Sequence, residues 1–290
     1  MSEFFTALAE QHFLQFALAA GLLASIGCGL MGTYVVVKRI AFIAGGIAHS
    51  VLSGMGAALY FGFDPLVGAL AAAIVSALLI GWVRLQWLAQ EDTMIGALWA
   101  IGMAVGILFI SKTPGYQTDL MSYLFGNILL VPERSLWFMA ALDALLLLVV
   151  GAYHRQFLAV AFDEEFARLR GISVTFFYLL LLVMVAVTVV LLIQVVGLIL
   201  VLALLTLPAA VAGHYVHSIT GMMLVATLLG SLVSVTGLAL SYGPDLPAGP
   251  TIILLAGGIY VISSFVVRAI AHRRAHAVVS STRTGSQSDE

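Results

Sequence analysis

Sparse polar residues divide this chain into a succession of apolar runs, each close to the length of a bilayer crossing. A spanning helix needs about 20 apolar residues at ~1.5 Å of rise each. Such runs fall near residues 13–37, 40–62, 65–88, 94–111, 136–153, 174–196, 197–213, 219–241 and 250–268. Of 290 residues, 62% are hydrophobic and 9% charged. A soluble domain carries roughly a quarter charged residues, so the solvent for this chain is lipid. In hydrocarbon a segment must satisfy its own backbone polar groups or close into a barrel, and the runs lack the alternation of barrel strands. The predicted fold is therefore an all-α polytopic membrane protein, a bundle of about 8–9 transmembrane helices. The stretch from Val174 to Val211 is too long for one span. Gln194 and Gly197 offer the turn that divides it; with that break the count is nine, without it eight.

Lysine and arginine set the orientation, because short cytoplasmic loops retain positive charge. With nine spans drawn, Lys38, Arg39, Arg84, Arg155, Arg168, Arg170, Arg268, Arg273, Arg274 and Arg283 share one side, and only Lys112 and Arg134 fall on the other. The first side is expected to be cytoplasmic and to hold the C-terminus. The external side receives the N-terminus, the loop from Thr113 to Glu133, and Ser241 to Asp245. The start, Met1 to Phe5, has no basic region or cleavage site, so no cleavable signal peptide is expected.

Several function classes are disfavoured on the same grounds. A net charge of −2 gives no basic footprint for nucleic acid. The single Cys28 can form no internal disulfide, and no Cys/His zinc-finger spacing occurs. Neither lysine, Lys38 or Lys112, ends a Gly-rich phosphate loop, so the chain is not expected to hydrolyse ATP. Without a His-Glu-x-x-His or Gly-x-Ser-x-Gly motif, an enzyme is not expected.

The segment Phe162 to Ile172 stands apart. Asp163, Glu164 and Glu165 precede Arg168, Arg170 and Gly171, which is the charge order that complements a helix dipole, followed by a stop. Phe162, Phe166 and Leu169 give this short cytoplasmic helix one apolar face. Periodicity alone is equally compatible with lipid headgroups and with a partner protein against that face. Ionisable residues at membrane depth are costly and so are candidates for function, which singles out His49 and Asp143. Equally, His49 with Ser50 and Ser53 suits a hydrogen-bonded packing residue, and Asp143 suits snorkelling or pairing with an arginine. His214 with His217, and His272 with His276, are spaced like ligand pairs but read as residues near helix C-termini or at the surface. The glycines of the first two spans, Gly21, Gly27, Gly29, Gly32, Gly45, Gly46, Gly54 and Gly56, suit close helix packing.

Four segments in order resemble one family, the membrane permeases of ABC importers for divalent metal ions such as zinc, manganese and iron. Val36 to Gly54, with Arg39 and His49, resembles that family's second-span signature. Phe162 to Ile172 is similar to its coupling helix, which inserts into a groove of the ATPase subunit. Leu204 to Ala212, with Thr206 and Pro208, and Asp245 to Ile252 resemble the remaining two signatures. The resemblance covers about Phe13 to Val267. One departure is that many members carry an acid where this chain has Gly46.

The resemblance implies a permease domain over residues 1–275, with the coupling helix at about 162–172, while polar, low-complexity composition makes 276–290 an expected disordered cytoplasmic tail. It implies two copies of the chain sharing a two-fold pathway, two ATPase subunits below and an external metal-binding protein above, in a cell membrane. The expected coupling residues are Asp163, Glu164, Glu165, Phe166, Arg168 and Gly171. The candidate path residues are His49, Gly46, Asp143, Thr206, Pro208 and Asp245, with His49 the candidate metal contact. The chain itself holds no cofactor on this reading: the metal is cargo, and ATP is used by the partner. Imidazole suits zinc and carboxylate suits manganese, which leaves the metal open between them. The alternative is a proton- or cation-coupled secondary transporter built on His49 and Asp143; a third reading is a membrane scaffold or receptor that transports nothing.

Overall fold

The computed structural model describes residues 7–86, 91–113, 126, 128–244 and 246–285. Among these residues nine helices are long and apolar enough to cross a membrane. In chain order they are α1 (His12–Val37), α2 (Ala41–Phe61), α3 (Pro65–Gln86), α4 (Glu91–Lys112), α5 (Glu133–Ala152), α8 (Val174–Val196), α9 (Leu198–Tyr215), α10 (Ile219–Tyr242) and α11 (Ala248–Gly285). Two short helices, α6 (His154–Phe162) and α7 (Glu164–Leu169), lie between α5 and α8. The apolar runs of the sequence and these helices coincide closely. α11 takes in residues 276–285 of the polar C-terminal segment.

α8 and α9 are separated by one residue. Gly197 has φ 82° and ψ 159°, a conformation essentially confined to glycine, and it divides the long apolar stretch at the expected place. Val196, Gly197 and Leu198 are buried. The backbone of Gly126, from the α4–α5 connection, presses directly on the Val196–Gly197 peptide.

α1 is the hub. It packs against α5, α8, α9 and α10, and its glycines make those approaches close enough to exclude a side chain. A Cβ on Gly29 would overlap the backbone of Thr227 on α10, and one on Gly32 would overlap the carbonyl of Leu205 on α9. In lipid no hydrophobic force drives helices together, so backbone proximity and van der Waals contact do that work. α2 lies between α3 and α4 by the same device: Gly54 meets Gly68 of α3, while Gly56 and Leu52 meet Gly106 of α4. Turning from α1 into α2, Arg39 adopts φ 58°, a left-handed conformation unusual for a residue with a side chain. The amide of Ile40 then donates to the carbonyl of Val35, closing the end of α1.

Candidate functional site

Two regions hold the residues singled out by the sequence. The first is the α6–α7 segment. Asp163 is extended (φ −147°) and caps α7, its carboxylate accepting from the Phe166 amide at 2.9 Å. The helix ends where Gly171 turns left-handed at φ 75°, and the amide of Ile172 returns to the carbonyl of Ala167. α7 is shorter than the expected 162–172, because the extended backbone at Asp163 separates it from α6 and gives Phe162 to the latter. Ala167 is buried against the bundle, whereas Phe162, Phe166 and Leu169 are exposed, Leu169 to 88%. The Arg170 guanidinium lies 4.9 Å from the centre of the Phe166 ring. The apolar groups of this segment thus face outward, with Glu165 and Arg168 also exposed among them. Such a surface can seat itself in a complementary groove without rearranging the bundle.

Behind it, Lys38 at the end of α1 reaches Glu164. Nζ of Lys38 donates to Oε1 of Glu164 at 2.6 Å and to the carbonyl of Val160 at 2.9 Å. Nothing local in the sequence relates Lys38 to a residue 126 positions away.

The second region is the membrane interior. His49 on α2 is half-buried, its ring stacked on Trp99 of α4 at 4.0 Å between centres and 12° between planes. Its Nδ1 is buried without a hydrogen-bond partner. Ser50 and Ser53 do not serve it: their hydroxyls donate to the carbonyls of Ile47 and Ser50. Gly46 packs so tightly on Ile95 of α4 that a Cβ there would press on its side chain. Any larger residue at this position, an acid included, requires Ile95 to move.

Asp143 is elsewhere. It is 5% exposed on α5, facing Gly27 of α1, and α5 packs on α1 and α8 rather than on α2. The structure does not bring His49 and Asp143 together. Oδ2 of Asp143 also lacks a hydrogen-bond partner. No arginine or lysine pairs with it among the described residues. Thr206 is half-buried on α9 and donates to the carbonyl of Leu202 at 2.8 Å. Pro208 is buried within α9, where its missing N–H removes one helix bond beside the close approach of Gly32 to Leu205. Asp245 lies outside the described residues. His214 and His217 do not form a ligand pair: Nδ1 of His214 is 2.8 Å from the hydroxyl of Ser263 on α11, while His217 is exposed beyond the end of α9. Among the described residues no group of three or more His, Cys, Asp or Glu side chains gathers. A resident metal centre has no ready-made cage there; a transient contact at His49 needs none.

A family model described as the ABC 3 transport family matches residues 10–267. The chain is 46% identical over 254 residues to an uncharacterised membrane protein of Synechocystis, covering 88% of this chain and 90% of the relative. It is 32% identical over 266 residues to the manganese import system permease protein ScaB of Streptococcus gordonii, covering 92% and 95%. Among solved structures it matches a chain of PsaBC from Streptococcus pneumoniae in complex with a Fab, with a TM-score of 0.82, 32% identity and coverage of 90% and 94%.

Proposed function

The chain belongs to the ABC 3 transport family, and from that premise we propose that it is the permease subunit of an ATP-driven importer of a divalent transition metal, manganese or zinc. The observation that carries this reading is the family match across residues 10–267, which runs from the start of α1 into α11 and takes in the outward-facing α7. The manganese import permease among its relatives favours manganese over zinc.

On this reading two copies of the chain form a pathway on a shared axis. Two ATPase subunits dock on the cytoplasmic side, where Phe166, with Asp163, Glu164, Glu165, Arg168 and Gly171 shaping its helix, enters an ATPase groove. A metal-loaded binding protein docks outside. The N-terminus is external and the C-terminus cytoplasmic, in keeping with the basic residues of the loops. ATP-driven closure moves α7, and the spans respond as rigid bodies to change access. His49 offers a neutral imidazole to the passing ion, and Trp99 limits the ring's freedom by stacking. One weak ligand suits a conduit, which must release what it binds. Thr206 and Pro208 shape α9 where it meets α1. Asp143 belongs to the α1–α5–α8 contact, and its separation from His49 speaks against a two-residue secondary-transport relay.

The test is reconstitution in proteoliposomes with the ATPase and the external binding protein, followed by uptake of manganese and zinc with and without ATP. ATP-dependent uptake of one metal supports the reading and names the cargo. Uptake that ignores ATP and follows a proton gradient overturns it.

A further inference from the structure

α7 is a helix of 6 residues and cannot by itself shift a bundle; something must fasten it to the spans. Ala167 buries little area, and α7 is set off by the extended residue Asp163 on one side and the left-handed Gly171 on the other. Among the described residues, the ion pair that fastens α7 comes from α1. Nζ of Lys38 touches both Oε1 of Glu164, in the first turn of α7, and the carbonyl of Val160, in the last turn of α6. The Lys38 side chain is 8% exposed and that of Glu164 38%, so the ammonium is withdrawn from water while its partner stays at the surface. One turn earlier on α1, the Tyr34 ring meets Phe157 of α6 at 5.6 Å, and Phe157 meets Phe177 of α8 at 5.5 Å. Lys38 is thus the polar end of a contact in which α1 holds both short helices at once.

We infer that Lys38 is the residue through which displacement of α7 reaches the transmembrane bundle. The physical grounds are that energetic coupling runs through packed side chains and charge-assisted hydrogen bonds, and that α1 is the helix touching α5, α8, α9 and α10. A pull on α7 tilts α1 at its cytoplasmic end, and the close backbone contacts at Gly29 and Gly32 pass that tilt to α10 and α9. Lys38 is a positioning residue: it touches neither metal nor nucleotide. The inference rests on the proposed importer function.

The experiment compares wild type, Lys38→Met and Lys38→Arg in the complete complex with ATPase and binding protein, and reads metal transported per ATP hydrolysed alongside the stoichiometry of assembly. Met keeps the apolar stem and removes both polar contacts; Arg keeps the charge and the donors. The expected result is normal assembly for both variants, a ratio lowered about tenfold in Lys38→Met, and a ratio near wild type in Lys38→Arg. A wild-type ratio in Lys38→Met overturns the inference while leaving the importer reading intact. Absence of ATP-dependent uptake in wild type overturns the importer reading and this inference with it. Should Lys38→Met fail to assemble, Lys38→Gln, whose shorter amide keeps donors for Val160 but brings no charge to Glu164, decides in its place. An unchanged ratio there, or a failure of that variant to assemble as well, gives Lys38 a purely structural role and overturns the inference.

Discussion

Gly27 of α1 and Asp143 of α5 face one another so closely that a Cβ on the glycine would stand 2.9 Å from Oδ1 of the carboxyl group. The glycine makes the room in which a buried acid sits, and the acid in turn forbids anything larger. Gly27→Ala is expected to force the two helices apart and to destabilise the protein by about 1–3 kcal/mol, the usual range for overpacking. Thermal unfolding in detergent, compared with wild type, checks this.

Asp143 itself yields an opposite expectation. A buried carboxyl group with an unsatisfied oxygen and no cationic partner among the described residues is a burden on stability. Asp143→Asn is expected to melt at or above the wild-type temperature and to sustain undiminished metal uptake. Loss of uptake with intact assembly would instead return Asp143 to the metal path.

Gly46 and Ile95 form a second tight pair, between α2 and α4. Gly46→Ala is expected to cost about 1–3 kcal/mol by overpacking. Gly46→Ala combined with Ile95→Ala should recover part of that loss, since the second change removes the atoms the new methyl meets. Unfolding of the two single variants and the double variant reads the interaction directly.

At His49 the imidazole has a stacked neighbour and a buried Nδ1 without a partner, so on the importer reading truncation removes the proposed metal contact together with the stacking on Trp99. His49→Ala is expected to abolish most ATP-dependent uptake while the complex assembles normally. Uptake at the wild-type rate would remove His49 from the path.

Just after α7, Gly171 holds φ 75°, which proline cannot adopt, and on α7 itself Glu165 is exposed. Glu165→Arg together with Gly171→Pro should leave the bundle folded, yet uncouple ATP hydrolysis from transport. Wild-type uptake in this variant would sink the assignment of α7 as the ATPase contact.

The helices were legible in the sequence because hydrocarbon thickness imposes a length on each, and because Gly197 marks the break in the longest stretch with a conformation few other residues reach. The charge order of Asp163 to Gly171 announced a short helix and its caps. α6 escaped notice although its nine residues are amphipathic, because so short a segment follows directly on the apolar run of α5, and it is held in place by Phe157 and Val160, buried against distant parts of the chain. The contacts that give the sites their character were illegible for the same reason. Lys38 with Glu164, His49 with Trp99 and Gly27 with Asp143 join residues that no helical period links, and only the folded bundle pairs them.

A single buried residue joins α8 to α9, roofed by the backbone of Gly126. During synthesis these two spans therefore emerge as one apolar stretch from Val174 to Tyr215, with no hydrophilic loop for the insertion machinery to carry across on its own. Crossing as a pair, the two spans return the chain to the side it left, so the basic residues ahead of α8, Arg168 and Arg170, set the direction of both crossings at once.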